Sequence, residues 1–316
     1  MVGVFDDIFD LNPALKLAGQ FVAAAVPVFN GVTVGNFTFP FAGSVHLTAV
    51  HLFTLPVVGS VHLGHVLTIV GLVAVMNVIN LIDGVDGLAS GVCLISGVTL
   101  AIIALSLDRP GAGVLAALTA GAALGFLRHG FPPASSFMGD TGSNLLGYLL
   151  GVIAIEGALK TNAVVSLFFP LIVLTVPILD SGFVIAKRIK YRRPIYEADR
   201  WHFHHRMANI GFSQRRTVLY LYAWTLALAA LSLALRFVPY SDHHGHFRTG
   251  WTLVLAGFGL FAVGASLYLV YVLEILKFSR FRRREIMRET GEGVTDEEIK
   301  REIEREIETG EWEATR

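Results

Sequence analysis

Four short polar segments interrupt an otherwise apolar chain, and their residue types are those that handle phosphates and divalent metal ions. The first has adjacent carboxylates (GVFDDIFDLNPALKLAGQ), and the second alternates amides with carboxylates (NVINLIDGVDGLASG). The third places one acid between glycines (SFMGDTGSNLLG), and the fourth mixes arginines with histidines (RRPIYEADRWHFHHRM). Their chemistry-bearing residues are, in chain order, Asp6, Asp7, Asn77, Asn80, Asp83, Asp86, Asp140, Arg200, His202, His204, His205 and Arg206. Carboxylates are hard ligands for Mg²⁺, and arginine and histidine donate charge-assisted hydrogen bonds to phosphates, so the set predicts phosphoryl transfer.

Each segment also has an ordinary structural interpretation. Acids such as Asp6 and Asp7 are favoured at helix N-termini, GDTGS is compatible with a capped turn, and a basic loop can serve only to anchor anionic lipids. The second segment fits such an interpretation poorly, because four polar groups directly against an uncharged span are costly unless a site requires them. Zinc is disfavoured, because the histidines lie beside arginines and apart from the carboxylates. A site for a hard cation and phosphates therefore explains the segments best.

The elements that must position these residues are membrane-spanning helices. The 316 residues are 53% hydrophobic and 16% charged, with a mean hydropathy of +0.60, whereas soluble domains carry about 25% charged residues. Apolar runs bounded by glycine, proline and charge predict an all-α, polytopic helical bundle with about eight spans. The predicted spans lie near 12–28, 62–80, 87–106, 112–128, 144–160, 162–185, 216–236 and 251–275. Alternating β-formers within 31–60 predict one small surface β-hairpin between the first two spans.

The distribution of basic residues predicts the orientation of these spans. Loops around 187–216 and 277–284 hold most of the lysines and arginines, and loops of this kind face the cytoplasm. Counting spans from that side places all four polar segments at the cytoplasmic face of the plasma membrane and the hairpin outside. The counting did not use the motifs, so their coincidence on one side supports a single site. The histidines of the opposite side are interpreted as loop residues without a function: His46, His51, His62, His65, His243, His244 and His246.

The chain divides at about residue 285. Residues 1–285 are predicted to form the membrane-embedded domain. Residues 286–316 contain a capping-box pair, Thr295 and Glu298, followed by isoleucines at four-residue spacing among charged residues. This pattern predicts a cytoplasmic amphipathic helix, and a solvated tail is its simplest interpretation.

In this order, the four segments resemble the polyprenyl-phosphate N-acetylhexosamine-1-phosphate transferases, over about Gly3 to Phe212. The most specific motifs are NVINLIDGVDGLASG, FMGDTGSNLLG and ADRWHFHHRM. The His-x-His-His arrangement after Arg200 resembles the N-acetylglucosamine branch of this family, whereas its phospho-N-acetylmuramoyl-pentapeptide transferases typically have consecutive histidines. The resemblance therefore implies UDP-N-acetylglucosamine, or a close UDP-N-acetylhexosamine, as donor; the pentapeptide sugar remains the alternative.

The resemblance also implies a reaction: the phosphate of a polyprenyl phosphate attacks the sugar-bearing phosphate of the UDP-sugar, giving a polyprenyl-pyrophosphoryl sugar and UMP. It implies Mg²⁺, with Mn²⁺ as the alternative, no nucleic-acid partner, and is compatible with a homodimer. Asp140 and Asp83 are the implied metal ligands, and Asp6 or Asp7 would engage the lipid phosphate. The implied catalytic residues are Asp6, Asp7, Asp83, Asp86, His202, His204 and His205. The implied substrate-binding residues are Asn77, Asn80, Arg200, Arg206 and Lys16.

The sequence leaves two matters open. Family members normally have further spans before the Asp-Asp motif, so we expect that Met1 is an internal methionine of a longer frame or that the chain is truncated. The rival functions are an ion-coupled transporter, in which intramembrane carboxylates bind ions, and an inactive scaffold. Transport sites usually lie near the membrane midplane and the chain shows no internal repeat, while retention of every acid from Asp6 to Asp140 argues against a decayed enzyme.

Overall fold

The computed structural model describes residues 2–9, 11–39, 43–56, 59–159, 168–190, 212–239 and 248–268. Within these ranges the fold is mostly helical. The helices are α1 (Val2–Phe9), α2 (Pro13–Phe29), α3 (Leu63–Ile82), α4 (Leu88–Ser106), α5 (Pro110–Gly130), α6 (Gly139–Ala154), α7 (Phe168–Val173), α8 (Thr175–Lys190), α9 (Gln214–Phe237) and α10 (Thr249–Tyr268). A 3₁₀ turn covers Leu47–Ala49, and a π-helical turn, Ile155–Leu159, extends α6.

Two antiparallel strand pairs lie between α2 and α3, so the predicted small hairpin is confirmed and the structure adds a second pair. β1 (Asn36–Phe39) pairs with β2 (Gly43–His46), and β3 (His51–Leu55) pairs with β4 (Gly59–His62). The segment contains two turn signals, Pro40 to Gly43 and Pro56 to Gly59, and so divides into two short pairs. Gly59 has a φ of +78°, a conformation that favours glycine.

Five of the predicted spans are confirmed as helices long and apolar enough to cross a membrane: α3, α4, α5, α9 and α10. The figure of about eight is not reached in the described part of the chain. Helices α2 and α6 have 17 and 16 residues. The predicted 162–185 span is divided into α7 and α8 at Leu174. Pro177, in the first turn of α8, has no N–H with which to continue the helical hydrogen bonds.

Helix α4 lies at the centre of the bundle, between α5, α6 and α9. Its buried side chains, including Val92, Leu100 and Ile103, form the core with residues of the neighbouring helices. Helices α4 and α5 approach closely at Gly97, where an added Cβ would lie 3.1 Å from the Cβ of Ala120. Small residues at such contacts are typical of helices that pack within membranes.

Two connections lie at the same end of this bundle. The first connection, residues 83–87, joins α3 to α4, and the second connection, residues 131–138, joins α5 to α6. Short helix α1 packs against the start of α6 at that end. The first three polar segments therefore converge as predicted. The fourth segment and the 286–316 tail lie outside the described residues.

Candidate active site

A cavity of about 450 Å³ opens at the end of the bundle where the two connections meet. We call it the acidic cavity, because three carboxylates, those of Asp83, Asp86 and Asp140, are among its lining residues. Asn80 of α3 and Phe137 of the second connection also line it. Acids predicted from two separate segments thus share one space, which is large enough for part of a nucleotide-sized ligand.

Lys16 of α2 links two of the acidic segments. Its ammonium pairs with Oδ2 of Asp6 at 2.9 Å and forms an ion pair with Oδ2 of Asp140. It also donates a longer hydrogen bond, 3.4 Å, to Oδ1 of Asn80. These groups are largely buried, so the positive charge offsets carboxylates that would otherwise repel each other in a poorly solvated place.

Asn80 orients the other oxygen of Asp140. Its Nδ2 donates to Oδ1 of Asp140 at 2.9 Å and to Oγ of Ser143 at 2.9 Å. Ser143 in turn donates to the carbonyl oxygen of Gly139, one turn earlier in α6. Asn80 lies in the last turn of α3 and Asp140 in the first turn of α6, so these bonds set the spacing between the two helix ends.

Asp7 caps α6 rather than its own helix. Its Oδ1 accepts a hydrogen bond from the backbone N–H of Asp140 at 2.8 Å, and its Oδ2 accepts from the N–H of Thr141 at 3.0 Å and from the Thr141 hydroxyl at 2.5 Å. A carboxylate at a helix N-terminus satisfies free N–H groups and complements the helix dipole. The close approach depends on Gly3, where an added Cβ would lie 2.6 Å from the carbonyl oxygen of Asp140. The neighbouring Asp6 accepts from the N–H of Leu11 at 3.1 Å.

A buried network of side-chain amides, one helical turn further into the bundle, supports this arrangement. Asn77 lies one turn before Asn80 and donates to Oε1 of Gln20 at 2.8 Å and to the carbonyl oxygen of Val73 at 2.8 Å. Gln20 is fully buried and donates to Oδ1 of Asn144 at 2.7 Å. Asn144 then donates to the carbonyl oxygen of Asp140 at 2.8 Å. The structure thus places Asn77 among packed helices, apart from the cavity lining.

The first connection carries two acids with different surroundings. Burial, and secondarily the nearby charge of Asp7, raises the pKa of Asp83 to about 7. Asp86 accepts a hydrogen bond from the backbone N–H of Ala134 at 3.0 Å, which ties the first connection to the second. Gly87 has a φ of +74°, and an added Cβ would lie 3.1 Å from the carbonyl oxygen of Gly130. Only glycine fits both requirements there.

The donor set of the acidic cavity suits a hard divalent cation. Mg²⁺ is usually held by one or two protein carboxylates and completes its shell with water and substrate phosphates. Asp83 and Asp140 line the same cavity and offer such oxygens. In the described part of the chain no three acidic, histidine or cysteine side chains form a ready metal cage. The carboxylates therefore fit a Mg²⁺ ion in the chemistry of their oxygens.

Three residues of the candidate site were not predicted from the sequence. Gln20 was overlooked because a lone glutamine in an apolar helix has no motif, although a buried amide in such a helix requires partners. Ser143 lies within a quoted motif and was treated as part of a turn. Phe137 lines the cavity with 81% of its surface exposed, and it was overlooked because no charge or amide marks it in the sequence.

The predicted phosphate-binding residues Arg200, His202, His204, His205 and Arg206 lie outside the described residues. Helix α9 begins at Gln214, eight positions beyond Arg206. Their roles therefore remain predictions from the sequence.

The chain is similar in sequence to one protein family and to several curated proteins. Residues 1–158 match the family described as Glycosyl transferase family 4. The chain is 35% identical over 235 residues to a probable undecaprenyl-phosphate N-acetylglucosaminyl 1-phosphate transferase of Bacillus subtilis, covering 74% of this chain and 62% of that protein. It is 35% identical over 247 residues to the decaprenyl-phosphate N-acetylglucosaminephosphotransferase of Mycolicibacterium smegmatis, covering 72% and 58%. A phospho-N-acetylmuramoyl-pentapeptide-transferase of Desulforudis audaxviator is 34% identical over 228 residues, covering 69% and 64%. The matched part of the chain thus spans about three fifths of the length of these curated relatives.

Proposed function

This chain belongs to glycosyl transferase family 4, and on that premise we propose that it transfers N-acetylglucosamine-1-phosphate from UDP-N-acetylglucosamine to a polyprenyl phosphate, releasing UMP. The observation that carries the proposal is the convergence of Asp83, Asp86 and Asp140 on one cavity, with Lys16 beside Asp140. The choice of sugar rests on the names of the B. subtilis and M. smegmatis relatives. The five candidate spans support a membrane enzyme, and we propose that its site faces the cytoplasm.

In the proposed reaction an oxygen of the lipid phosphate forms a bond to the sugar-bearing phosphorus of the donor. The bond from that phosphorus to the bridging oxygen breaks, and the electron pair leaves with UMP. Both reactants are anionic, so the site must offset negative charge while it aligns them. Mg²⁺ bound at Asp83 and Asp140 would supply part of this charge.

We propose different tasks for Asp6 and Asp7, on the basis of their different contacts. Asp7 uses both carboxylate oxygens on the start of α6, so we propose that it positions Asp140. Asp6 is paired with Lys16, and together they form the side of the site where we propose that the lipid phosphate binds. A phosphate monoester has a second pKa near 6 and is largely ionised at neutral pH, so attack does not require a strong base.

The donor diphosphate is assigned to the acidic cavity and to the predicted Arg/His loop. Asp86 holds the two connections together, and Asn80 fixes Asp140 at the cavity wall. Phe137 offers an exposed ring face, and bases stack well on such faces. Arg200, Arg206 and the three histidines of that loop are proposed to bind the pyrophosphate by charge-assisted hydrogen bonds.

The test uses membranes containing this chain, a polyprenyl phosphate, Mg²⁺ and two preparations of UDP-N-acetylglucosamine. One carries ³H in the sugar and the other carries ³²P in the sugar-bearing phosphate. We expect both labels in the lipid phase, with one UMP released for each lipid product. Transfer of ³H alone, with UDP released, would show sugar transfer and contradict the proposal.

Two aspartate variants sharpen this experiment. Asp140→Asn should abolish label transfer, whereas Asp108→Asn should not change it, because Asp108 is an exposed turn residue after α4 and does not line the cavity. No label from the wild-type chain with UDP-N-acetylglucosamine overturns the proposed donor. If UDP-N-acetylmuramoyl-pentapeptide then gives label, the donor is the pentapeptide sugar; if it also fails, the transferase proposal fails.

A further inference from the structure

Helix α9 reaches both connections of the acidic cavity with side chains on one face. Arg215 and Tyr222 are seven residues apart, about two helical turns, so they lie on the same side of α9. Nε of Arg215 donates to the carbonyl oxygen of Pro132 at 2.8 Å, and the hydroxyl of Tyr222 donates to the carbonyl oxygen of Gly87. Pro132 belongs to the second connection and Gly87 to the first. One helix face therefore holds both loops that line the cavity.

Packing fixes the Tyr222 side chain in this position. Its ring lies over Gly91 in the first turn of α4, where a side chain would collide with the ring. Val218, one turn earlier on the same face, is fully buried in the core, and Leu221 is buried beside it. The hydroxyl cannot leave Gly87 without moving a tightly packed part of α9.

The bond from Tyr222 acts on the peptide group between Gly87 and Leu88, one residue beyond Asp86. The Gly87 carbonyl also accepts hydrogen bonds from the Ser90 hydroxyl at 3.0 Å and from the Gly91 N–H at 3.0 Å. It therefore stays satisfied without Tyr222, and loss of the hydroxyl should cost little stability. Its loss removes the link between α9 and the turn that carries Asp86.

We propose that Tyr222 and Arg215 are positioning residues, which set Asp86 and the second connection at the spacing needed to bind the donor nucleotide sugar. This inference rests on the proposed function. Helix α9 begins eight positions beyond Arg206. Helix α9 thus follows the predicted Arg/His loop in the sequence and contacts both connections of the acidic cavity.

The test compares two matched pairs of variants in the lipid-label assay. Tyr222→Phe keeps the ring and loses the hydroxyl, and its control is Tyr220→Phe, in a tyrosine that is 56% exposed. Arg215→Gln loses the bond to Pro132, and its control is Arg216→Gln, in the neighbouring arginine, which is likewise exposed. We expect the Tyr222 and Arg215 variants to raise KM for UDP-N-acetylglucosamine roughly five- to tenfold, because each loses one hydrogen bond that orders the site. KM for the polyprenyl phosphate and the unfolding temperature should stay near the wild-type values.

The separation of the two KM values distinguishes positioning from a general structural role. A variant that only unfolds a fraction of the enzyme lowers the apparent kcat and leaves both KM values unchanged. That result, or equal donor KM values for Tyr222→Phe and Tyr220→Phe, would overturn the inference while wild-type label still supports the proposed function. If wild-type membranes give no label with any donor, the proposed function fails and the inference falls with it.

Discussion

Asp7 and Asp140 meet at a helix N-terminus although 133 positions separate them in the chain: Oδ1 of Asp7 accepts a hydrogen bond of 2.8 Å from the backbone N–H of Asp140. The contact couples the first polar segment to the third through the backbone and leaves the Asp140 carboxylate free to meet Lys16 and Asn80. Asp7, which the sequence predicts to be catalytic, therefore also holds the start of α6 in place.

Removal of the Asp7 cap should cost both stability and activity. Asp7→Ala loses three hydrogen bonds to Asp140 and Thr141, so we expect the free energy of unfolding to fall by about 1–2 kcal/mol, the usual cost of a lost N-cap. Asp7→Asn keeps one acceptor oxygen and should lose less. Thermal unfolding in detergent, measured beside label transfer, checks this. Asp108→Asn is the control, because Asp108 is an exposed turn residue outside the acidic cavity; an Asp7→Ala protein that melts like the wild type would contradict the capping role.

Replacement of Lys16 should strengthen metal binding and slow turnover. In Lys16→Gln the ammonium no longer competes for Asp140, so we expect Mn²⁺, measured by electron paramagnetic resonance, to bind roughly tenfold more tightly. Turnover should fall at least about tenfold, because a positive charge is lost where two anions must meet. Lys16→Arg keeps the charge and should leave the Mn²⁺ affinity near the wild-type value. Weaker Mn²⁺ binding in Lys16→Gln would show that Lys16 supports the metal site by another route.

The sequence predicts where the acids gather but not how they pair. Charge-free runs and basic loops suffice to bring Asp83, Asp86 and Asp140 to one end of a bundle, since helices of similar length must return to the same face. Side-chain pairing depends on helix packing, which apolar periodicity does not reveal. The role of Asp7 illustrates this, because its partner follows from the close approach of Gly3 to α6. Asn77 looks equivalent to Asn80 in the motif, yet one helical turn moves it into the amide network.

Helix breaks explain why only five of the predicted spans are found as long apolar helices in the described part of the chain. The 162–185 run carries a single charged residue, Asp180, and its hydropathy predicts one span, but α7 ends at Val173 and α8 begins at Thr175. Hydropathy does not register the missing N–H of Pro177. Similarly, α6 begins only at Gly139 and passes into a π-helical turn, so its regular part is 16 residues long.

Loss of the Phe137 ring should weaken donor binding. Phe137→Ala removes an exposed ring face from the cavity, and we expect KM for UDP-N-acetylglucosamine to rise about tenfold, since base stacking contributes about 1–3 kcal/mol. Phe137→Trp should keep most of the affinity. The control is Phe261→Ala on α10, because Phe261 is similarly exposed, at 71%, and is not part of this cavity. A KM that is unchanged in Phe137→Ala would place the base elsewhere.

The buried amide network makes Gln20 sensitive to an almost isosteric change. Gln20→Glu replaces the NH₂ that donates to Asn144 with a carboxylate oxygen, so two acceptors would face each other without solvent. We expect the free energy of unfolding to fall by about 1–3 kcal/mol, the cost of an unsatisfied buried polar group. Activity should fall as well, because Asn144 also holds the carbonyl oxygen of Asp140. Chemical denaturation followed by tryptophan fluorescence measures the first effect, and Gln20→Glu with wild-type stability would contradict it.

Asp83 should make the stability of the metal-free protein depend on pH. Its carboxyl releases a proton near the ordinary pKa of 3.8 in the unfolded chain and near 7 in the native protein, because burial and then Asp7 disfavour the charge. Between these values the native state binds more protons than the unfolded state, so the contribution of Asp83 to stability declines as pH rises from about 4 to about 7 and then levels off. Asp83→Asn lacks this decline, so the unfolding temperature of the variant relative to the wild type should increase with pH. Unfolding in the presence of a chelator from pH 5 to 8 checks the expectation, and a constant difference between the two proteins would show that Asp83 does not carry the raised pKa.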